Sequence, residues 1–245
     1  MRLCDAQLTD VNPSDILCNG LYRKCDTYKG GGGYDKFSEI YQKRFGKRDN
    51  LHNQFVVQLR GCPLDCPYCY VTHEGVHGSN FERITTDQLV EDFRNSNCEV
   101  FHLMGGAPAI YLDSWHEIIE KIPDKVFHSD LMLVERRYSP ETLRELAKFP
   151  NSLYAVSIKG YGIHEWTKNT RTTYPERVMF RNLDTLVDSK LPFYFTFTGM
   201  SENTIKNFKI RIIGRYGYSY LEDCFKITIV HYNALDYKKN EGSSI

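Results

Sequence analysis

The sequence predicts an α/β protein, an open partial (β/α)6 barrel with a short N-terminal extension, and three observations carry this prediction. From about residue 54, short β-rich runs alternate with amphipathic helical segments, the pattern of parallel strands joined by crossover helices. The runs are too few for a closed eightfold barrel, which usually needs a longer chain than these 245 residues. The 41% apolar and 13% aromatic content is sufficient for one buried core, so we expect one domain.

Each predicted strand is a run rich in β-branched, aromatic or other apolar residues. The strands are placed at residues 54–60, 99–104, 127–134, 153–159, 192–198 and 225–232. Because parallel strands all end at the same edge of a barrel, functional side chains are expected at their C-terminal ends.

The segments between these strands carry helix signals. Thr85 with Gln88, and Ser114 with Glu117, have capping-box spacing. Further start and stop signals are Ser139-Pro140, Tyr174-Pro175, Ser201 as an N-cap and Gly214 as the end of the last helix. The predicted core-facing stripes are Trp115, Ile118, Ile119 and Ile122 in one helix, and Met179, Leu183, Leu186 and Val187 in another.

Residues 1–53 are predicted to form an extension, residues 54–236 the barrel, and residues 237–245 a polar, flexible tail. The extension contains four consecutive glycines, Gly30 to Gly33, which give a flexible hinge and make it a candidate substrate lid. A phosphate-binding role for these glycines would need a preceding strand, a following helix and a lysine at fixed spacing, and the sequence lacks that context.

The charges balance, with 31 basic and 31 acidic side chains and no long block of either sign. No broad field would therefore draw the protein onto nucleic acid or a membrane surface. The N-terminus lacks the apolar core of a signal peptide, and no stretch of about 18 apolar residues could span a bilayer. A cytoplasmic location is expected, where the eight cysteines would be metal ligands or buried thiols rather than disulfides.

Three cysteines, Cys62, Cys66 and Cys69, directly follow the first predicted strand with C-x3-C-x2-C spacing. A loop of this spacing can direct three thiolates to three irons of a cubane, whereas most [4Fe-4S] clusters take four. The fourth iron is then open to a small chelating ligand. A zinc site is the alternative, because Zn²⁺ favours four tetrahedral ligands and His73 or His77 would complete the set.

The motif C-x3-C-x-aromatic-C, at the end of the first strand of an α/β chain, resembles the signature of the radical S-adenosylmethionine (SAM) superfamily. The resemblance implies that Cys62, Cys66 and Cys69 bind a [4Fe-4S] cluster and that SAM chelates the open iron. It implies an enzyme that cleaves SAM reductively, with an electron from a flavodoxin or ferredoxin-type donor. A 5′-deoxyadenosyl radical then abstracts hydrogen from a substrate, so that the cofactors carry the difficult chemistry.

A second motif, Gly105-Gly106-Ala107-Pro108, follows the second predicted strand. It resembles the Gly-Gly-Glu-Pro motif of this superfamily, whose backbone receives the amino group of SAM. Ala107 stands where glutamate is usual, which removes a side-chain acceptor and keeps the backbone carbonyls. Taken alone the two glycines indicate only a turn, and the zinc alternative does not explain this second match.

A third motif, Val156-Ser157-Ile158-Lys159-Gly160, ends the fourth predicted strand. It looks like the Asp-x-Lys-Gly of the branch that contains glycyl-radical-enzyme activases, with Ser157 in place of aspartate. Ser157 and Lys159 face the same side of a strand. The resemblance implies that Lys159 meets the carboxylate of SAM and that Ser157 hydrogen bonds beside it. An exposed structural lysine is the alternative.

The resemblance also places Tyr68 near the adenine of SAM, with an ordinary core tyrosine as the alternative. Polar residues at strand ends are candidates to line the nucleoside or substrate pocket: Thr196, Thr198, His231 and Asn233. No catalytic side chain is assigned.

The remaining cysteines carry weaker signals. Cys98 and Cys224 precede strands, where a thiol commonly packs as a small apolar group. Cys4, Cys18 and Cys25 form no compact pair, and an auxiliary cluster remains an open alternative for them. The segment 16–24 resembles a lead-in of little-studied archaeal-type members of the superfamily.

Three functions are open at this point. The first is an activase that abstracts hydrogen from a glycine of a partner protein, and the second is an enzyme that modifies a peptide or a small metabolite. The third is a non-catalytic zinc or iron–sulfur interaction module. Turnover of SAM separates the third from the other two.

Overall fold

The computed structural model describes residues 3–7, 22–26, 34–48, 51, 53–69, 76–79, 81–217 and 229–230. Its strands are β1 (Leu3–Gln7), β2 (Tyr22–Asp26), β3 (Asn53–Gln58), β4 (Phe81–Thr85), β5 (Val100–Met104), β6 (Val126–Leu131), β7 (Ser152–Ile158), β8 (Phe193–Thr198) and β9 (Ile229–Val230). Its α-helices are α1 (Tyr34–Phe45), α2 (Thr86–Asn95), α3 (Trp115–Lys121), α4 (Pro140–Ala147), α5 (Ile163–Thr170), α6 (Glu176–Asp188) and α7 (Glu202–Tyr216). A 3-10 helix, Pro108–Ser114, precedes α3.

The main sheet has the strand order β2-β3-β5-β6-β7-β8-β9. Its strands from β3 to β9 are parallel, and β2 pairs antiparallel with β3 at one edge. Among the described strands β2 and β9 do not pair with each other, so the sheet is open. The predicted open α/β barrel is confirmed, and each of its predicted strands overlaps a parallel strand; of the last one, predicted at residues 225–232, only 229–230 lie within the described residues. A separate antiparallel pair, β1 with β4, was not predicted.

The outer face of the sheet carries the main core, in which the helices cover the strands. Trp115 of α3 packs on Phe127 of β6 and stacks on Tyr154 of β7, with ring centroids 5.7 Å apart in both pairs. All four residues of the predicted α3 stripe are buried, as are Met179, Leu183 and Leu186 in α6. Burial of each such side chain contributes about 1.5–3 kcal/mol, so these stripes fix the helices on the sheet.

Most predicted helix caps are present, and two are wrong. Thr85, Ser139 and Ser201 each accept a hydrogen bond from a backbone N–H three residues later. Ser114 instead donates to the carbonyl of Tyr111, because the 3-10 helix runs directly into α3. Gly214 does not end α7, which continues to Tyr216 and stops at a glycine, residue 217, with φ of 85°.

Helix α1 packs against the inner face of the sheet at the amino ends of its strands. Tyr41 is buried there with other inner-face side chains, and Arg44 donates to the carbonyls of Phe149 and Ser152, which precede and begin β7. Part of the predicted extension therefore forms the base of the barrel, opposite to the carboxyl ends. The prediction that residues 1–53 act as a substrate lid stays untested, since Gly30 to Gly33 lie outside the described residues. The predicted tail, 237–245, also lies outside them.

Within the described ranges, none of the helices has both the length and the apolar character needed to cross a lipid bilayer.

Candidate functional site

The cysteine loop lies at the carboxyl end of β3 and carries the three predicted cluster ligands. Cys62, Cys66 and Cys69 are all half-buried free thiols. A turn within the loop is closed by the backbone N–H of Cys69, which donates to the carbonyl of Cys66 at 3.0 Å. The loop thus holds three thiols at one edge of the sheet.

Two backbone hydrogen bonds tie the cysteine loop to its surroundings. The N–H of Gly61 donates to the carbonyl of Val76 at 2.9 Å, and the N–H of Asp65 donates to the carbonyl of Thr170 at 3.0 Å. Thr170 is the last residue of α5, so the end of this helix supports the loop from the β7 side.

The thiols influence one another electrostatically. The pKa of Cys62 is raised to about 12, chiefly by burial and in smaller part by the charges of the other two cysteines, while a backbone hydrogen bond at Leu64 and the charge of Lys159 act in the opposite direction. Burial also raises the pKa of Cys66, and the ammonium of Lys159 again acts in the opposite direction. Thiolates at this site therefore need a positively charged centre, such as bound iron, to compensate for burial.

The spacing of the thiols differs from that of a single-ion site. Among the described residues, only His102, His128 and Asp130 bring three ligand atoms within 4.8 Å of one another, so the sulfurs of the three cysteines are spread more widely. Tetrahedral zinc with bonds of about 2.3 Å would need sulfurs about 3.8 Å apart. Of the histidines in the zinc alternative, His77 is exposed and His73 lies outside the described residues. As placed here, the three sulfurs therefore do not form a preassembled tetrahedral zinc site.

The Gly-Gly-Ala-Pro motif packs directly against the cysteine loop. The N–H of Ala107 donates to the carbonyl of Gly61 at 2.7 Å. Gly105 and Gly106 have φ of 67° and 56°, a region that favours glycine. A Cβ on Gly106 would lie 2.3 Å from the carbonyl oxygen of Leu59, so the close approach of the two segments requires glycine there.

The end of β7 lies beside the same loop. The Lys159 Nζ is 5.8 Å from the ring centroid of Tyr68. Its positive charge acts to lower the pKa of both Cys62 and Cys66. Ser157 is buried and pairs in register with Thr196 of β8. The hydroxyl of Thr198 is buried with no hydrogen-bond partner among the described residues. The structure thus brings Tyr68, Lys159 and the three cysteines to one place.

Asn169 of α5 is a positioning residue that the sequence did not reveal. Its Nδ2 donates to the carbonyl of Lys159 at 2.7 Å and to the carbonyl of Gly199 at 2.9 Å, so it joins the ends of β7 and β8. A Cβ on Gly199 would lie 3.1 Å from the Tyr68 ring. The amide therefore helps to hold the strand ends around Tyr68. No signal pointed to it, because α5 was not predicted.

The other sequence candidates have different outcomes. Cys98 is 1% exposed and lies in the main core, as predicted. His231, Asn233, Cys18 and Cys224 lie outside the described residues. Cys4 and Cys25 lie in β1 and β2, and their prediction stays untested.

Comparison with known proteins gives a family match for most of the barrel. A model of the radical SAM superfamily matches residues 56–210. The fold is similar to that of SuiB from Streptococcus suis bound to its precursor peptide SuiA, with a TM-score of 0.54, 13% identity and coverage of 82% of this chain and 43% of that one. SuiB bound to S-adenosylmethionine gives a TM-score of 0.51, 12% identity and coverage of 71% and 39%.

HydG, a maturase of the [FeFe]-hydrogenase, gives a TM-score of 0.47, 14% identity and coverage of 86% of this chain and 50% of that chain. This chain thus spans half or less of the length of these three solved structures. No curated protein sequence matches it.

Proposed function

Because the chain belongs to the radical SAM superfamily, whose members use a [4Fe-4S] cluster and SAM, we propose that Cys62, Cys66 and Cys69 hold this cluster. We propose further that the chain cleaves SAM reductively and abstracts a hydrogen atom from a polypeptide substrate. The observation that supports this most strongly is the meeting of three separate segments at the carboxyl edge of the sheet. These are the cysteine loop, the Gly-Gly-Ala-Pro turn and the Lys159 strand end.

Each segment has a distinct role in the proposal. Gly105, Gly106 and Ala107 offer backbone groups to the amino group of SAM, since glycine permits a ligand to approach the main chain. Lys159 offers an ammonium to the SAM carboxylate, and Ser157 a hydroxyl beside it. Tyr68 offers an aromatic surface to the adenine.

When bound, the cluster supplies one electron from an external low-potential donor, which splits a carbon–sulfur bond of SAM into methionine and a 5′-deoxyadenosyl radical able to take hydrogen from a substrate. The chain itself has to orient SAM and keep water away from the site. Buried side chains at the carboxyl ends of β7 and β8, among them Ser157, Thr196 and Thr198, suit this task. Flavodoxin or ferredoxin is the proposed class of donor.

Formation of 5′-deoxyadenosine tests the proposal. Protein with its cluster reconstituted without oxygen, supplied with SAM and dithionite or reduced flavodoxin, should release 5′-deoxyadenosine and methionine slowly, even without substrate. A variant that lacks all three cysteines of the loop is the control and should release none. If the cluster-loaded protein yields no 5′-deoxyadenosine with any donor, or only methylthioadenosine, the proposed cleavage is wrong.

The substrate class is a separate part of the proposal. The Ser-x-Lys-Gly strand end resembles that of activases that act on a protein glycine, and the similarly folded SuiB binds a precursor peptide. Both point to a polypeptide. A small metabolite is the alternative outcome, and transfer of deuterium from a labelled polypeptide, but not from labelled metabolites, into 5′-deoxyadenosine would decide between them.

Replacing Lys159 by alanine is expected to weaken SAM binding about 10- to 100-fold, since a hydrogen bond to a charged group is worth about 1.5–3 kcal/mol. Iron content should stay unchanged because no iron ligand is removed. Calorimetric titration with SAM of the cluster-loaded protein measures the effect. Lys168→Ala, on an exposed position of α5, is the matched control and should bind SAM like the unmodified protein. Equal affinities for the two variants would mean that Lys159 is only structural.

A further inference from the structure

Two histidines lie side by side on the inner face of the barrel, below the cysteine loop. His102 of β5 and His128 of β6 are partners in the parallel register and are only 2% and 1% exposed. Their ring centroids are 4.3 Å apart, with an interplanar angle of 79°. Asp130 follows His128 by two residues, so its side chain points to the same face. The three form a compact group that the cluster chemistry does not use.

One nitrogen of each ring is held by a neighbouring strand. The Nδ1 of His102 lies 2.6 Å from Gln54 Oε1, which can only accept, so Nδ1 carries the proton and Nε2 keeps a lone pair. The Nε2 of His128 lies 3.0 Å from the hydroxyl of Tyr194, which can accept a hydrogen bond from Nε2–H; in that tautomer Nδ1 carries a lone pair. Partners of this kind commonly orient histidines that bind metals.

The two other nitrogens have no such partner. His102 Nε2 and His128 Nδ1 are buried and make no hydrogen bond to any described residue. A buried polar atom left unpaired costs about 1–3 kcal/mol, so a pair of such nitrogens side by side needs an explanation. The carboxylate of Asp130 approaches within 4.0 Å of His102 Nε2, and one ligand atom from each of the three residues lies within 4.8 Å of the others.

We propose that His102 Nε2, His128 Nδ1 and the Asp130 carboxylate together bind one divalent transition-metal ion of the zinc or iron(II) class. Two imidazoles and one carboxylate suit such ions and leave at least one coordination position open for water or a polar substrate group. Helix α1 covers this group from the amino end, where Tyr41 packs against His128. Asp130 lies near the carboxyl end of β6 and its side chain is 27% exposed, so the group is accessible from that side.

Zinc titration of the cluster-loaded protein tests this site. After treatment with a chelator that leaves the cluster intact, the protein should bind one equivalent of added ZnCl₂. Zinc-edge X-ray absorption should show nitrogen and oxygen neighbours at about 2.0–2.1 Å and no sulfur at about 2.3 Å. No bound zinc, or zinc bound through sulfur, would overturn the proposal.

Variants of the group locate the site. Asp130→Asn keeps the shape of a partly exposed side chain, so it should fold, but it should weaken zinc binding at least about tenfold because it removes the only charged ligand. His102→Gln should weaken zinc binding similarly. His116→Gln, on the half-buried surface of α3, is the control and should keep one equivalent. Undiminished zinc binding by Asp130→Asn would overturn the assignment even if His102→Gln failed to fold.

Discussion

Replacing Cys66 by alanine is expected to abolish the [4Fe-4S] cluster and, with it, all cleavage of SAM. Two remaining thiolates cannot hold three irons of a cubane, so iron should fall from about four per chain towards zero. The loss should appear as a missing EPR signal of the reduced cluster and as 5′-deoxyadenosine at background level. Because Cys66 is only half-buried, its truncation should cost the apoprotein about 1 kcal/mol or less.

Cys98→Ala is the matched control, since it also removes a single sulfur. Cys98 lies in the main core, where its Sγ is 3.8 Å from the carbonyl of Ser96, and the cavity left behind should cost about 1–2 kcal/mol. Its iron content and 5′-deoxyadenosine release should nevertheless match the unmodified protein. Cys66→Ala should therefore lose the cluster and SAM cleavage with little loss of stability, whereas Cys98→Ala should lose stability and keep both. A full cluster in Cys66→Ala would refute the ligand assignment.

The barrel could be predicted from the sequence because several of its described strands are buried on both faces. Strands β5, β7 and β8 are buried at every position, and such strands appear in sequence as continuous apolar runs between turn signals. Strand β4 has no such run, since Glu82 and Arg83 are exposed and its partner β1 is distant in sequence. It pairs with β1, which lies about 80 residues earlier in the chain, and a local sequence pattern cannot predict a contact between such distant segments.

Helix α1 escaped prediction for a related reason. The stretch Tyr41 to Arg48 contains both basic and aromatic residues, and in the fold these two kinds of side chain have different partners. Tyr41 faces the inner side chains of the sheet, while Arg44 reaches backbone carbonyls at the start of β7. This helix packs on the inner surface of the barrel, which forms only after the strands have paired. No local sequence pattern could therefore indicate where the helix would pack.

The candidate site divides in the same way. The cysteine spacing, the two glycines and Lys159 are contiguous motifs, so their residues could be named in advance. The inner pair of His102 and His128 could not, although both lie in predicted strands. Their contact depends on the register of two neighbouring strands, which is set by the crossover segment between them and by core packing.

Replacing Gly106 by alanine is expected to separate the Gly-Gly-Ala-Pro turn from the cysteine loop. The added Cβ would lie 2.3 Å from the carbonyl oxygen of Leu59 and 2.6 Å from that of Gly61, and backbone atoms this close must move. In addition, a residue with a Cβ in the left-handed conformation at φ of 56° destabilises the folded state by about 1–2 kcal/mol relative to glycine. Displacement of Gly61 should also weaken the hydrogen bond that its carbonyl accepts from Ala107.

Gly46→Ala separates the two costs, because Gly46 has φ of 73° and no atom within 4 Å of the added Cβ. Gly46→Ala should therefore show the conformational cost alone, whereas Gly106→Ala should lose about 1–3 kcal/mol more through overpacking. Urea unfolding of the two cluster-loaded variants without oxygen measures this difference. Only Gly106→Ala should also lose SAM affinity, since its turn lies beside the residue that precedes Cys62. Equal stability of the two variants, together with unchanged SAM binding, would show that the close approach at Gly106 does not shape the site.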